Sequence, residues 1–168
     1  MITYAALSPH PPLLIPEIGG KRIQDVAATV AGMEQMAREL VDSYPETVVF
    51  ITPHGNVFSD AISVLSEARL EGDFSNFGNH NKRTSCQNDN ELLQEIARRA
   101  SSTNINVVLL DKETALYNQL NPGLDHGIMV PLYYLQEAGL SNVNIIAISV
   151  AFISLLELFI FGTLIRDA

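Results

Sequence analysis

His10 and His54 stand out as residues whose type and setting could do chemistry. His10 lies in Ser8-Pro9-His10-Pro11-Pro12, directly after the apolar run Ile2 to Leu7, and His54 lies in Thr52-Pro53-His54-Gly55, directly after the β-branched and aromatic run Thr47 to Thr52. The prolines around His10 forbid both a helix interior and a central strand, so each histidine is expected at a strand end. A neutral imidazole is a common metal ligand. Two of them on adjacent loops can face one divalent transition metal, and a carboxylate would complete a facial triad with open positions for substrate and oxygen. Taken singly, a loop histidine reads as a hydrogen-bonding or solvated residue. The repeated setting raises the metal reading, and spacing alone takes it no further.

These loops need elements to hold them. Apolar residues recur at Ile23, Val26, Ala27, Val30, Met33, Met36, Ala37, Leu40 and Val41, which predicts a helix over Ile23 to Tyr44 with the two methionines in its core stripe. Pro45 stops it. Strands are expected at Ile2 to Leu7, Thr47 to Thr52, Ala61 to Ser66, Ile105 to Leu110 and Val143 to Val150. A further helix is expected over Glu91 to Ala100, capped by Asp89 or Asn90. Gly72 to Asn90 is rich in Gly, Asn and Ser and reads as an exposed loop, while Asp111 to Gly123 reads as a polar connection. A helix is expected to open near Val130-Pro131, because proline is tolerated in a first turn. Strands alternating with helices favour an α/β fold of three layers, α/β/α, with a largely parallel central sheet. In such sheets the ligand site lies beyond the strands' carboxyl ends, where the two histidines are expected.

Composition narrows the function classes. Ten basic residues against nineteen acidic ones give a net charge of −9, and the basic residues show no concentration in the sequence. Nucleic acid is therefore not an expected partner. A lone cysteine, Cys86, cannot form an internal disulfide, and the N-terminus lacks the layout of a signal peptide, so the cytoplasm is the expected location. Ile145 to Ile165 is apolar enough to test as a membrane span, but Glu157 interrupts it. Ser154 and Glu157 form a capping box, which divides the stretch into a strand and a helix from about Leu155; no membrane association is expected. Glu17 reads as a solvated loop carboxylate rather than a metal ligand, and His80 as an exposed loop residue. Tyr117, Tyr133 and Tyr134 read as packing residues before pocket residues. Asp125 either orients His126 or caps the helix that follows, and both readings stand.

Four segments carry a resemblance. Ser8-Pro9-His10-Pro11-Pro12-Leu13-Leu14-Ile15-Pro16-Glu17, Thr52-Pro53-His54-Gly55, Gly72-Asp73-Phe74-Ser75-Asn76-Phe77-Gly78 and Leu124-Asp125-His126-Gly127-Ile128-Met129-Val130-Pro131-Leu132 resemble, in the same order, the LigB-type class III extradiol ring-cleavage dioxygenases. The likeness is nearest to the branch associated with AmmeMemoRadiSam-system proteins. It implies one catalytic domain over residues 1–168, Fe(II) held by His10 and His54, and His126 beside the substrate. The implied reaction opens a small phenolic or catecholic ring with O₂ next to its hydroxyls. The chain stops at Arg166-Asp167-Ala168, short of the family's Ser-Gly-Asp-Leu-Ser-His segment and of its carboxylate ligand. A C-terminally shortened domain with impaired activity is expected on that account. In that form His126 could become the third ligand of a three-histidine site suited to zinc as well as iron. The alternative is a non-catalytic metal-binding or interaction module, as in Memo-type proteins; a hydrolase finds no further motif. Without cover for the last strand and helix, self-association into a homo-oligomer is expected.

Overall fold

The computed structural model describes residues 1–168. Its strands are β1 (Thr47–Thr52), β2 (Ile62–Leu65), β3 (Arg69–Phe74), β4 (Asn79–Gln87), β5 (Val107–Leu110) and β6 (Asn144–Ser149). Its helices are α1 (Pro16–Gly19), α2 (Ala27–Asp42), α3 (Asn90–Ala100), α4 (Lys112–Tyr117), α5 (His126–Glu137) and α6 (Leu155–Asp167). The Val/Ile-rich runs pair into one sheet of order β1-β6-β2-β5. β1 runs parallel to β6, and β2 to β5; the two pairs meet antiparallel through β2 and β6. The largely parallel α/β sheet expected from the alternation of elements is thus present, with one reversal at its centre.

Strand periodicity sends alternate side chains to opposite faces, and each face has its own cover. Ile145 and Ala147 of β6 join Met33 and Ala37 of α2 and Ile128, Leu132 and Leu135 of α5 in one core. Ile146 and Ile148 join Leu93 and Ile96 of α3 and Phe161 of α6 in the other. Three layers result. Each fully buried Leu or Ile contributes on the order of 1.5–3 kcal/mol, so β2 and β6, buried on both sides, contribute most to holding the layers together.

Several sequence expectations are corrected. Ile2 to Leu7 forms no strand: it runs extended along α2, with Ile2 and Leu7 exposed and the Tyr4 hydroxyl donating to Glu39 Oε2 at 3.0 Å. An apolar run supplies strand propensity, but a strand exists only where a ladder partner accepts it. His10 accordingly follows an unpaired segment. The first helix begins with a tighter 3₁₀ stretch, Gly20–Val26, and becomes α-helical only at Ala27.

The stretch read as an exposed loop is the antiparallel β3–β4 hairpin. Leu70 and Phe74, two positions either side of Gly72, turn inward and are buried, while the other face is polar and solvated. A Cβ at Gly72 would fall on Met129 Sδ and the Leu124 carbonyl, so glycine lets the hairpin lie directly on the start of α5. The polar connection contains α4, capped by the Asp111 carboxylate, which accepts from Thr114 N at 2.7 Å. α5 starts at His126, ahead of the expected Val130, because Asp125 caps it; Pro131 therefore sits inside the helix and leaves the Gly127 carbonyl without its usual amide donor. α6 starts at Leu155 behind the Ser154–Glu157 capping box, as expected. No helix is long and apolar enough to cross a membrane.

Candidate metal centre

Each histidine reaches the site on a different kind of support. His10 precedes a turn, Pro12–Leu14, that the core holds by burying Leu14 and Ile15. The buried Tyr134 hydroxyl of α5 donates to the Leu14 carbonyl at 2.5 Å, pinning that turn to the helix. His10 Nδ1 lies 3.4 Å from the Ser8 carbonyl, a partner that favours hydrogen on Nδ1 and a free lone pair on Nε2. His54 sits two residues past β1, its backbone N–H donating to Thr52 Oγ1 at 3.2 Å.

Thr52, almost fully buried, is the joint of the site. Its hydroxyl donates to Asp125 Oδ1 at 2.8 Å, and the same oxygen accepts from Gly127 N at 2.7 Å. The end of β1 is thereby tied to the beginning of α5, and His126 is delivered beside His54. This resolves the two readings of Asp125 in favour of the helix cap. Two glycines make the close approach feasible. A Cβ on Gly127 would collide with Thr52 Oγ1 and Asp125 Oδ1, and one on Gly55 with Ser149 Oγ.

The three imidazoles converge. One ring nitrogen from each of His10, His54 and His126 falls in a group whose members all lie within 4.8 Å of one another. His10 Nε2 and His54 Nε2 are 2.9 Å apart. Ring centroids are separated by 4.9 Å for His10–His54, 5.9 Å for His10–His126 and 4.2 Å for His54–His126. Donors at about 2.1 Å from one ion sit about 3.0 Å apart at a right angle and about 3.4 Å apart in a tetrahedron. The His10–His54 spacing thus suits neighbouring positions on one cation, which both rings must face in the deprotonated state.

Burial lowers the His126 pKa, the nearby His54 and His10 rings lower it further, and Asp125 opposes them. The balance favours the neutral ring, the form that a ligand needs. The Phe77 ring, from the hairpin tip, makes a T-shaped contact with His126, with centroids 5.1 Å apart. Other sequence candidates are placed elsewhere. Glu17 is paired with Lys82 at 2.8 Å, His80 and Tyr117 are exposed, and Tyr133 packs under the Lys82 ammonium, which lies 4.4 Å from its ring centre. Tyr134 packs in the core, as expected from the sequence, while Thr52 and Phe77 have structural places that their sequence settings did not assign individually. Both lie in segments that carry the family resemblance, Thr52 in the last strand position before Pro-His and Phe77 in the Gly72 to Gly78 run, but neither was distinguished there from its neighbours.

The same histidines lie within a stretch with known relatives. Residues 4–168 match the family described as the catalytic LigB subunit of aromatic ring-opening dioxygenase. Over 162 residues the chain is 30% identical to Protein CA_C1420 of Clostridium acetobutylicum, covering 96% of this chain and 34% of that protein. The chain thus spans about a third of the length of that relative. With a match over nearly every residue, a three-layer α/β fold and a convergent histidine group at the rim of its sheet, the chain belongs to the LigB family of aromatic ring-opening dioxygenase catalytic subunits.

Proposed function

We propose that the chain is a non-haem Fe(II)-dependent extradiol dioxygenase domain, extending over residues 1–168, that acts on a small phenolic or catecholic ring with O₂. The observation that carries this reading is the convergence of His10, His54 and His126 nitrogens within 4.8 Å of one another in a LigB-family chain. His10 and His54 would hold the metal, which when bound supplies a place where the ring's hydroxyls and O₂ meet and electrons pass between them. The Ser8 carbonyl favours the His10 tautomer with hydrogen on Nδ1, and Thr52 supports the turn that carries His54. His126, neutral and half-buried beside them, contacts the substrate and can accept a proton from a ring hydroxyl at its free nitrogen.

A second reading has one observation in its favour. Asp125 is occupied by Thr52 and Gly127, and Glu17 by Lys82, so no carboxylate joins the group and the donors are all imidazoles. Three imidazoles suit zinc, in a non-catalytic metal-binding or interaction module.

Metal analysis of anaerobically purified chain, followed by oxygen uptake with a panel of catechols, separates the two. Iron near one equivalent with catechol-dependent uptake supports the dioxygenase; bound metal without uptake supports the module. His10→Ala and His54→Ala should each reduce bound metal at least tenfold, on the order of a lost first ligand or worse. His126→Ala should retain metal and lose uptake, whereas loss of metal would make it the third ligand.

A further inference from the structure

The hairpin tip places an aromatic side chain where no packing requirement explains it. The strand register slips between Asp73 and Phe74, and the chain then turns through the short 3₁₀ segment Ser75–Phe77 to Gly78, whose φ of 82° suits glycine. The turn is built firmly. Asp73 Oδ1 accepts from Ser75 N at 2.9 Å, and Asn79 Oδ1 accepts from Asn81 N and Lys82 N at 3.1 and 3.0 Å. Phe74 anchors the tip in the core at 2% exposure, whereas Phe77, three residues on, stays 38% exposed. Phe77 presents its ring at 63° to His126, 5.1 Å between centroids, and lies 6.4 Å from Phe74. A large apolar ring at a turn tip, held beside a histidine of the metal group and left partly open, has a face available for a ligand.

We propose that Phe77 is the specificity-determining aromatic wall of the site, packing against the planar ring of a bidentate aromatic chelator whose oxygens face the three imidazoles. This rests on the catecholic reading above and goes beyond it by naming the residue that distinguishes an aromatic chelator from an aliphatic one. Offset or edge contacts between aromatic rings contribute about 0.5–1.5 kcal/mol beyond area burial, which corresponds to roughly 2- to 13-fold in affinity. An aliphatic chelator of the same metal gains nothing from such a wall.

The experiment is a titration of the full chain, loaded with Zn(II) to suppress turnover, using 4-nitrocatechol followed by its visible absorbance and acetohydroxamate as the non-aromatic chelator. Phe77→Ala should weaken 4-nitrocatechol by about tenfold and leave acetohydroxamate and Zn(II) affinity within about twofold, while Phe77→Tyr should keep 4-nitrocatechol within about twofold. Phe77→Leu, which keeps apolar bulk without a π face and guards against a disturbed tip, should fall between them. Unchanged 4-nitrocatechol affinity in Phe77→Ala would overturn the wall. So would equal losses of both chelators, since that marks Phe77 as a prop for His126. If the unsubstituted, Zn(II)-loaded chain binds acetohydroxamate but not 4-nitrocatechol, the catecholic reading itself fails, and the wall with it.

Discussion

At the scale of single residues, the histidine group depends on side chains outside it. The Tyr134 hydroxyl spans 120 residues of sequence to reach the Leu14 carbonyl, and it holds the turn that follows His10. Tyr134→Phe leaves that buried carbonyl without its donor, which costs about 1–2 kcal/mol; chemical denaturation should register that loss, and Zn(II) affinity should fall severalfold as His10 loosens. An unchanged midpoint would show that the carbonyl finds another donor. Cys86 behaves oppositely to a reactive thiol. Burial pushes its pKa from 9.0 up to about 12, with Arg69 opposing, so the folded chain holds the thiol proton more tightly than the unfolded chain does. The sign follows: this contribution to stability is present below pH 9 and is lost as pH rises from 9 towards 12. Cys86→Ala should therefore lose less stability than the parent between pH 8.5 and 10.5, and alkylation of the native thiol at pH 8 should be far slower than in denaturant. Legibility at this scale was uneven. His10 and His54 could be named from their Pro-His settings, whereas Thr52 and Phe77 acquire meaning only from neighbours dozens of residues away.

Among the elements, local signals succeeded where the backbone's partners are close in sequence. β1 ends at Thr52 because Pro53 cannot extend the ladder, and α6 begins where Ser154 and Glu157 satisfy each other's backbone donors, Glu157 N to Ser154 Oγ at 3.2 Å and Ser154 N to Glu157 Oε2 at 2.8 Å. Ser154→Ala should destabilise the chain by about 1 kcal/mol, seen as a fall in Tm of roughly 2–4 °C. A shift under half a degree would mean that α6 is held by packing alone. The hairpin was illegible for a different reason. β4 is polar apart from Cys86, and the buried face of β3 carries a glycine between Leu70 and Phe74, so neither strand shows the apolar alternation that marks a half-buried sheet. Ile2 to Leu7 failed in reverse, being apolar enough for a strand yet given no edge to pair with. The start of α5 was decided by competition between two rules, and the Asp125 cap prevailed over the preference of proline for a first turn.

On the scale of the molecule, one face remains uncovered. Phe152, just before α6, and Leu155, Leu156 and Phe159 in its first turns are exposed, with Phe159 at 75%, and Ile51 of β1 is also exposed. Apolar surface of this kind drives association, and sedimentation at rising concentration should show a concentration-dependent oligomer that Phe159→Glu converts to monomer. A monomer at high concentration in the parent chain would contradict this. Period, turn chemistry and capping act over a few residues, and they were enough to reveal the alternation of strands and helices, while the acidic balance, the family motifs and the two leading histidines could be read directly from the residues. Long-range packing set the antiparallel meeting of β2 with β6, the laying of the Gly72 hairpin on α5, and the distances at which His126 meets two rings 44 residues apart. Those outcomes depend on which surfaces bury one another, and here a single threonine hydroxyl and two glycines set how closely a strand end and a helix start can meet.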